Sequence, residues 1–119
     1  MGLYFHNKTI YPLQIVLAYF DPQCESDGIN KWRKTGWFLI DPGKTNLVWN
    51  GSAKNKKFLY YSEDRNNLGY IWSGNIFTHI PYRRFNRCWD ITSTEPGRRL
   101  GLKVFTATTN NYTLNFILE

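Results

Sequence analysis

The sequence predicts an all-β protein: a single antiparallel β-sandwich, or flattened barrel, of about eight or nine short strands, formed by residues 1–119 as one domain. Three observations predict it. Nearly every segment alternates its side chains with period two. Gly, Pro, Asn and Asp punctuate the chain every 8–12 residues or so, at the spacing of short strands and tight turns. No window of a dozen residues sustains an apolar stripe at the 3.6-residue period of a helix.

Taken in order, residues 3–6 alternate Leu3 and Phe5 with Tyr4 and His6. Asn7-Lys8-Thr9 then breaks the chain before Leu13–Phe20. That second strand is apolar on both faces, with Leu13, Ile15, Leu17 and Tyr19 on one and Val16, Ala18 and Phe20 on the other, so it is expected to be covered on both sides. Trp32–Ile40 follows, closed by Asp41-Pro42-Gly43-Lys44, which has Pro and Gly where a type II turn needs them. Residues 46–49, 58–62, 70–72, 77–80 and 101–106 are further strands, separated by Asn50-Gly51, Asn66-Asn67 with Gly69, and Pro96-Gly97. Residues 81–88 fit one short helical turn. Residues 111–118 close the series, Tyr112, Leu114, Phe116 and Leu118 alternating with Thr113, Asn115 and Ile117.

Five Trp, eight Tyr and eight Phe stand in 119 residues of formal net charge +6. Aromatic side chains supply large, oriented contact surfaces, and a basic excess selects anionic partners. The positive charges cluster at Lys31, Arg33 and Lys34, at Lys54, Lys56 and Lys57, at Arg83, Arg84 and Arg87, and at Arg98 and Arg99. No apolar run approaches the roughly 20 residues that cross a bilayer. The first residues lack the basic and apolar regions of a leader, which predicts a cytoplasmic protein. Cys24 and Cys88 are too few for a disulfide scaffold and are expected to remain thiols in a reducing cytosol.

Motifs of known chemistry are missing. The sequence has no Gly-rich phosphate loop, Gly-x-Ser-x-Gly elbow, His-Glu-x-x-His pair or Cys-x-x-Cys. His6 and His79 read as ordinary strand residues, and no metal-ligand spacing or cofactor is predicted. Glu63-Asp64 with Asp90 is the one set of acids that glycoside chemistry would recruit. With no positioned proton donor apparent, the protein is not expected to be an enzyme.

Binding chemistry is better represented. Lys31-Trp32-Arg33-Lys34-Thr35-Gly36-Trp37 and the run from Tyr82 to Trp89 interleave rings with cations, and Tyr70-Ile71-Trp72 adds two more rings. Rings stack on bases and sugars, and guanidinium forks grip phosphate or carboxylate. The candidate ligand-binding residues are therefore Trp37, Trp72 and Trp89 as stacking surfaces, and Tyr82, Arg83, Arg84 and Arg87 as an anion site. Arg83, Arg84 and Arg87 bring two guanidinium groups together on a strand or a helical turn alike, which requires an anion or a carboxylate between them.

The order of landmarks resembles a bacterial and phage family, domain of unknown function 1036. The residues that carry the resemblance are Leu3-Tyr4-Phe5-His6-Asn7-Lys8-Thr9, Ala18-Tyr19-Phe20-Asp21-Pro22 with Cys24, and Trp32-Arg33-Lys34 with Gly36-Trp37-Phe38. Asp41-Pro42-Gly43-Lys44, Phe58-Leu59-Tyr60-Tyr61 before Glu63, Trp72-Ser73-Gly74, Pro81 with Phe85 and Cys88-Trp89, and Asn111-Tyr112-Thr113-Leu114-Asn115 continue it. The resemblance implies a single small β domain and no activity. In some relatives the domain follows an export signal, and none is expected here from the first residues.

Three functions stand in order. The first is a non-enzymatic module that captures an anionic, ring-containing small molecule of the nucleotide-like kind. The second is a protein-interaction domain that meets an acidic partner with exposed aromatics. The third, favoured by a pI of about 9.4, is nucleic-acid binding.

Overall fold

A computed structural model describes residues 1–24, 31–89 and 94–118. Its ten strands are β1 (Gly2–Asn7), β2 (Leu13–Phe20), β3 (Trp32–Ile40), β4 (Thr45–Asn50), β5 (Lys57–Asp64), β6 (Ile71–Trp72), β7 (Ile76–Pro81), β8 (Phe85–Cys88), β9 (Gly97–Thr106) and β10 (Tyr112–Phe116). The all-β architecture expected from the sequence is the one found. A large curled sheet, a half-barrel, packs against a smaller one. The large sheet runs β7-β9-β5-β2-β3-β8, with β6 paired to β5, and the small sheet runs β10-β1-β4.

β2 lies between β3 and β5 and is covered on both faces, as its composition requires. Leu13, Ile15 and Leu17 join Leu3, Phe5, Ile40, Phe58 and Phe116 between the two sheets. Val16 and Ala18 point into the hollow of the curl with Trp37, Leu59, Tyr61, Ile80, Leu100 and Leu102. A bulge in β3 sets which aromatic goes where. Ile15 pairs Phe38 and Leu17 pairs Thr35, so Gly36 and Trp37 together oppose Val16. The extra residue restores Phe38 and Ile40 to the inter-sheet core and turns Trp37 into the hollow.

Polar side chains complete the joints. Asn7 is fully buried. Its Nδ2 donates to the carbonyls of Tyr11 (2.7 Å) and Ile40 (2.9 Å), and its Oδ1 accepts from the Thr9 N–H (2.9 Å) and hydroxyl (2.7 Å). The Asn7-Lys8-Thr9 break is thus a connection knitted by one amide. Across the hollow, Lys34 Nζ of β3 donates to Thr78 Oγ1 (2.9 Å) and the His79 carbonyl (2.8 Å), and Trp37 Nε1 donates to the Pro81 carbonyl (2.9 Å). These bonds draw β3 toward β7 at the far edge and hold the curl.

Two expectations are corrected, on the helical turn and the thiols, and one pairing was not foreseen. Residues 85–88 form a strand, β8, because the Arg33–Gly36 stretch of β3 offers them an open ladder; no helical turn forms there. β10 runs parallel to β1, a long-range pairing that turn signals cannot reveal. Cys24 and Cys88 are joined in a disulfide rather than standing as thiols. The Asp21–Cys24 turn and the β3–β8 pairing bring their Cα atoms to 5.4 Å, within bridging range.

Candidate functional site

Alternating strand direction brings the starts of β3, β5 and β7 and the ends of β2, β8 and β9 to one end of the large sheet, where the hollow opens. The Trp89 N–H donates to the Trp32 carbonyl (2.7 Å), extending the β3–β8 ladder by one position. Directly opposed residues of an antiparallel pair share a face, so the two indoles stand side by side on one wall. Leu59, Val104 and Ile76 line the rest, and Lys57 lines the rim, around a depression of about 310 Å³. A second depression of about 300 Å³ is lined by Tyr19, Phe20, Trp49, Lys56 and Phe58 and shares Trp32 and Lys57 with the first. The two depressions lie on opposite faces of the large sheet, the first in the hollow and the second at the end of the inter-sheet layer.

Under this mouth sits the ammonium of Lys34. The residue is 3 % exposed, bonded to β7 as described, and 5.7 Å from the centre of the Trp89 ring. A cation against a ring face gains electrostatically where water is excluded. Trp89 is thereby fixed from below while its other surface faces the first depression.

The seven residues expected to bind ligand do not converge. Trp89 lines the mouth. Trp37, 5 % exposed, packs edge-on against Tyr61 at 6.2 Å and is a core residue. Trp72 packs edge-on against Phe116 at 5.8 Å and lines a different hollow, beside β10. Tyr82 is exposed beneath the Arg98 guanidinium, 5.7 Å away. Arg84 is exposed and, with the edge of Trp37, lines a shallow depression alongside Thr35, Gly36, Phe38, Phe85 and Asn86, so these two expected residues do share one surface.

Arg83 and Arg87 do meet, and the charge between them is the protein's own. Glu95 accepts from Arg83 Nε and, at 2.6 Å, from Arg87 Nη2. Hydrogen bonds from Arg87 first and Arg83 next hold its carboxyl below the usual range. The Arg83 side chain is 81 % exposed and that of Arg87 only 20 %.

At the opposite end of the hollow, Glu63 accepts from Gln14 Nε2 (2.5 Å), the Tyr61 hydroxyl (2.8 Å) and Arg98 Nη1 (3.0 Å) and Nη2 (2.9 Å). Burial opposes its charge, but these donors outweigh it and lower its pKa. The same burial raises Tyr61. A carboxylate engaged by so many donors is a strut. Asp64, the next residue along the strand, faces the other way, so the two acids share no site; Asp90 lies outside the described residues. Among the described residues no group of three His, Cys, Asp or Glu is placed to hold a metal ion, and no helix is long and apolar enough to cross a membrane.

Sequence reasoning noticed Trp32 and the cluster holding Lys56 and Lys57 but did not place them in the site, and it missed Trp49 and Val104. The usable signal was the pairing of β3 with β8, which places Trp32 opposite Trp89. Compared with known proteins, the chain matches no family model, no curated protein and no solved structure.

Proposed function

We propose that the protein is a non-enzymatic binding module that takes a flat, ring-bearing anion at the mouth of the curled sheet. The observation that carries this reading is the pair of adjacent indoles, Trp32 and Trp89, over an apolar floor with Lys57 at the rim. A concave, mostly apolar site of roughly 300 Å³ with a few polar groups suits a single ring system and its substituent. The rings offer stacking area and the lysine offers the counter-charge for phosphate or carboxylate. Arg83 and Arg87, both tied to the carboxylate of Glu95, are left out of the site.

The bridge between Cys24 and Cys88 bears on where the ligand is met. Disulfides persist in oxidising surroundings, which favours an extracytoplasmic setting over the cytoplasmic one expected from the sequence. The nucleic-acid reading loses support, because Arg33, Arg65, Arg83, Arg87 and Arg98 each pair with a carboxylate of the same chain. The protein-partner reading keeps one observation in its favour: Phe20 (56 % exposed) and Val104 (47 %) leave apolar surface beside the mouth.

Titration of tryptophan fluorescence with nucleoside monophosphates, cyclic nucleotides, sugar phosphates and aromatic carboxylates tests the proposal. At least one class should quench the signal and raise the melting temperature. Trp89→Ala or Lys57→Ala should weaken that binding at least tenfold, while Arg83→Ala changes it less than twofold. No response at millimolar ligand overturns the reading, and so does an Arg83→Ala effect as large as that of Trp89→Ala.

A further inference from the structure

A hollow of about 580 Å³ lies on the other side of the molecule, between β10 and β6. β10 pairs with β1 along one edge and carries no strand on its other edge among the described residues. The small sheet has three strands on a sheet of seven, so it stops short of covering its partner layer. Lys103 marks where it stops. This residue is in register with Tyr60, whose ring is buried between the sheets, and alternates with Leu102, which fills the curl. Lys103 therefore sits on the inter-sheet face, yet it is exposed. Ile71 (55 % exposed) and Ile117 (50 %) are left bare beside it, and Trp72 forms part of the wall.

An open strand edge presents backbone donors and acceptors ready for another strand. One added strand, at the usual spacing of about 4.8 Å, would continue the small sheet over Trp72 and Lys103. Charge decides which strand fits. Among the described residues the lining contains no Asp or Glu, its one charged residue is Lys103, and Lys103 takes part in no ion pair. A second copy of the chain would bring another +6 and another Lys103 to the same edge.

We propose that the free edge of β10 is a docking site for an extended, acidic segment of another protein, which adds a fourth strand to the small sheet. Main-chain hydrogen bonds to β10 give the affinity. Alternate apolar residues of the segment rest on Ile71 and Trp72, and an acidic residue meets Lys103. The surface is separate from the indole mouth, so the two sites are occupied independently.

A fluorescein-labelled heptapeptide Val-Thr-Glu-Thr-Val-Thr-Val, which sets one glutamate among the valines of a single strand face, with lysine in place of the glutamate as its control, tests this by anisotropy at low salt. Amide exchange of residues 112–116 is followed in parallel. The acidic peptide should bind saturably, at least tenfold more tightly than the basic one, and should slow exchange along β10. Lys103→Glu, at an exposed position that the fold does not depend on, should reverse the preference. Trp89→Ala should leave peptide binding unchanged, which separates this proposal from the function proposed above. The inference is overturned by absent binding, by binding indifferent to Lys103→Glu, or by concentration-dependent protection of β10 in the free protein, which would name a second copy as the occupant.

Discussion

Asp64, at the end of β5, organises the turn that follows by accepting backbone N–H groups of Asn66 (3.2 Å), Leu68 (2.7 Å) and Tyr70 (2.9 Å). Burial favours its neutral form, but these donors prevail and lower its pKa. The folded state thus releases this proton more readily than the unfolded chain. The stability gained is complete above the unfolded value of about 4 and is lost as the pH falls through the lowered folded value. Asp64→Asn should cost about 2 kcal/mol at neutral pH, since the amide offers one acceptor oxygen to several donors. It should also flatten the loss of melting temperature below pH 4. Melts recorded from pH 2 to 7 check both, and an unchanged acid slope in the variant contradicts the assignment. Residue chemistry was legible in the sequence only where it was local. The need for an anion or a carboxylate between Arg83 and Arg87 was readable, but not that the protein's own Glu95 supplies it, since no spacing announces that contact.

Among the elements, β2 was readable to the residue because each of its faces has its own core to fill. β8 was not. Its four residues, Phe85–Cys88, alternate poorly and carry charge, and they become a strand only because β3 stands beside them. Pairing along one edge is a weak hold for so short a strand, and the Cys24–Cys88 bridge supplies another. With the bridge spanning 64 positions of sequence, the chain-entropy account gives it about 4 kcal/mol. Replacing both cysteines by serine should lower stability in urea by that order. It should also speed amide exchange in β8 more than in the central strand β2. Equal exchange in β8 with and without the bridge would show that the β3 ladder alone secures it. Because Trp89 follows Cys88 directly, loosening β8 also displaces one wall of the mouth.

For the molecule as a whole, the two layers were legible and the curl was not. Alternation states that a strand has two faces without saying which distant edge will bend toward it. Here that choice rests on Lys34 and Trp37 reaching β7. The parallel pairing of β1 with β10 was equally hidden, since its partners, Leu3 with Tyr112 through Asn7 with Phe116, lie at opposite ends of the sequence. This pairing gives the protein a mechanical character. In a parallel pair, residue 2 and residue 116 sit at opposite ends of the ladder, so tension between them slides one strand along the other. Every rung is then loaded at once, instead of parting one after another as in a zipper. Forced rupture reports the unfolding barrier rather than equilibrium stability. Pulling through residues 2 and 116 in an optical trap or force microscope should therefore need markedly more force than pulling through residues 2 and 50, which lie at the same end of the antiparallel β1–β4 pair and peel it rung by rung. Similar forces in the two directions would show that the β1–β10 ladder bears no load. A domain strung in this way resists being drawn out by its ends, whatever is bound at its mouth.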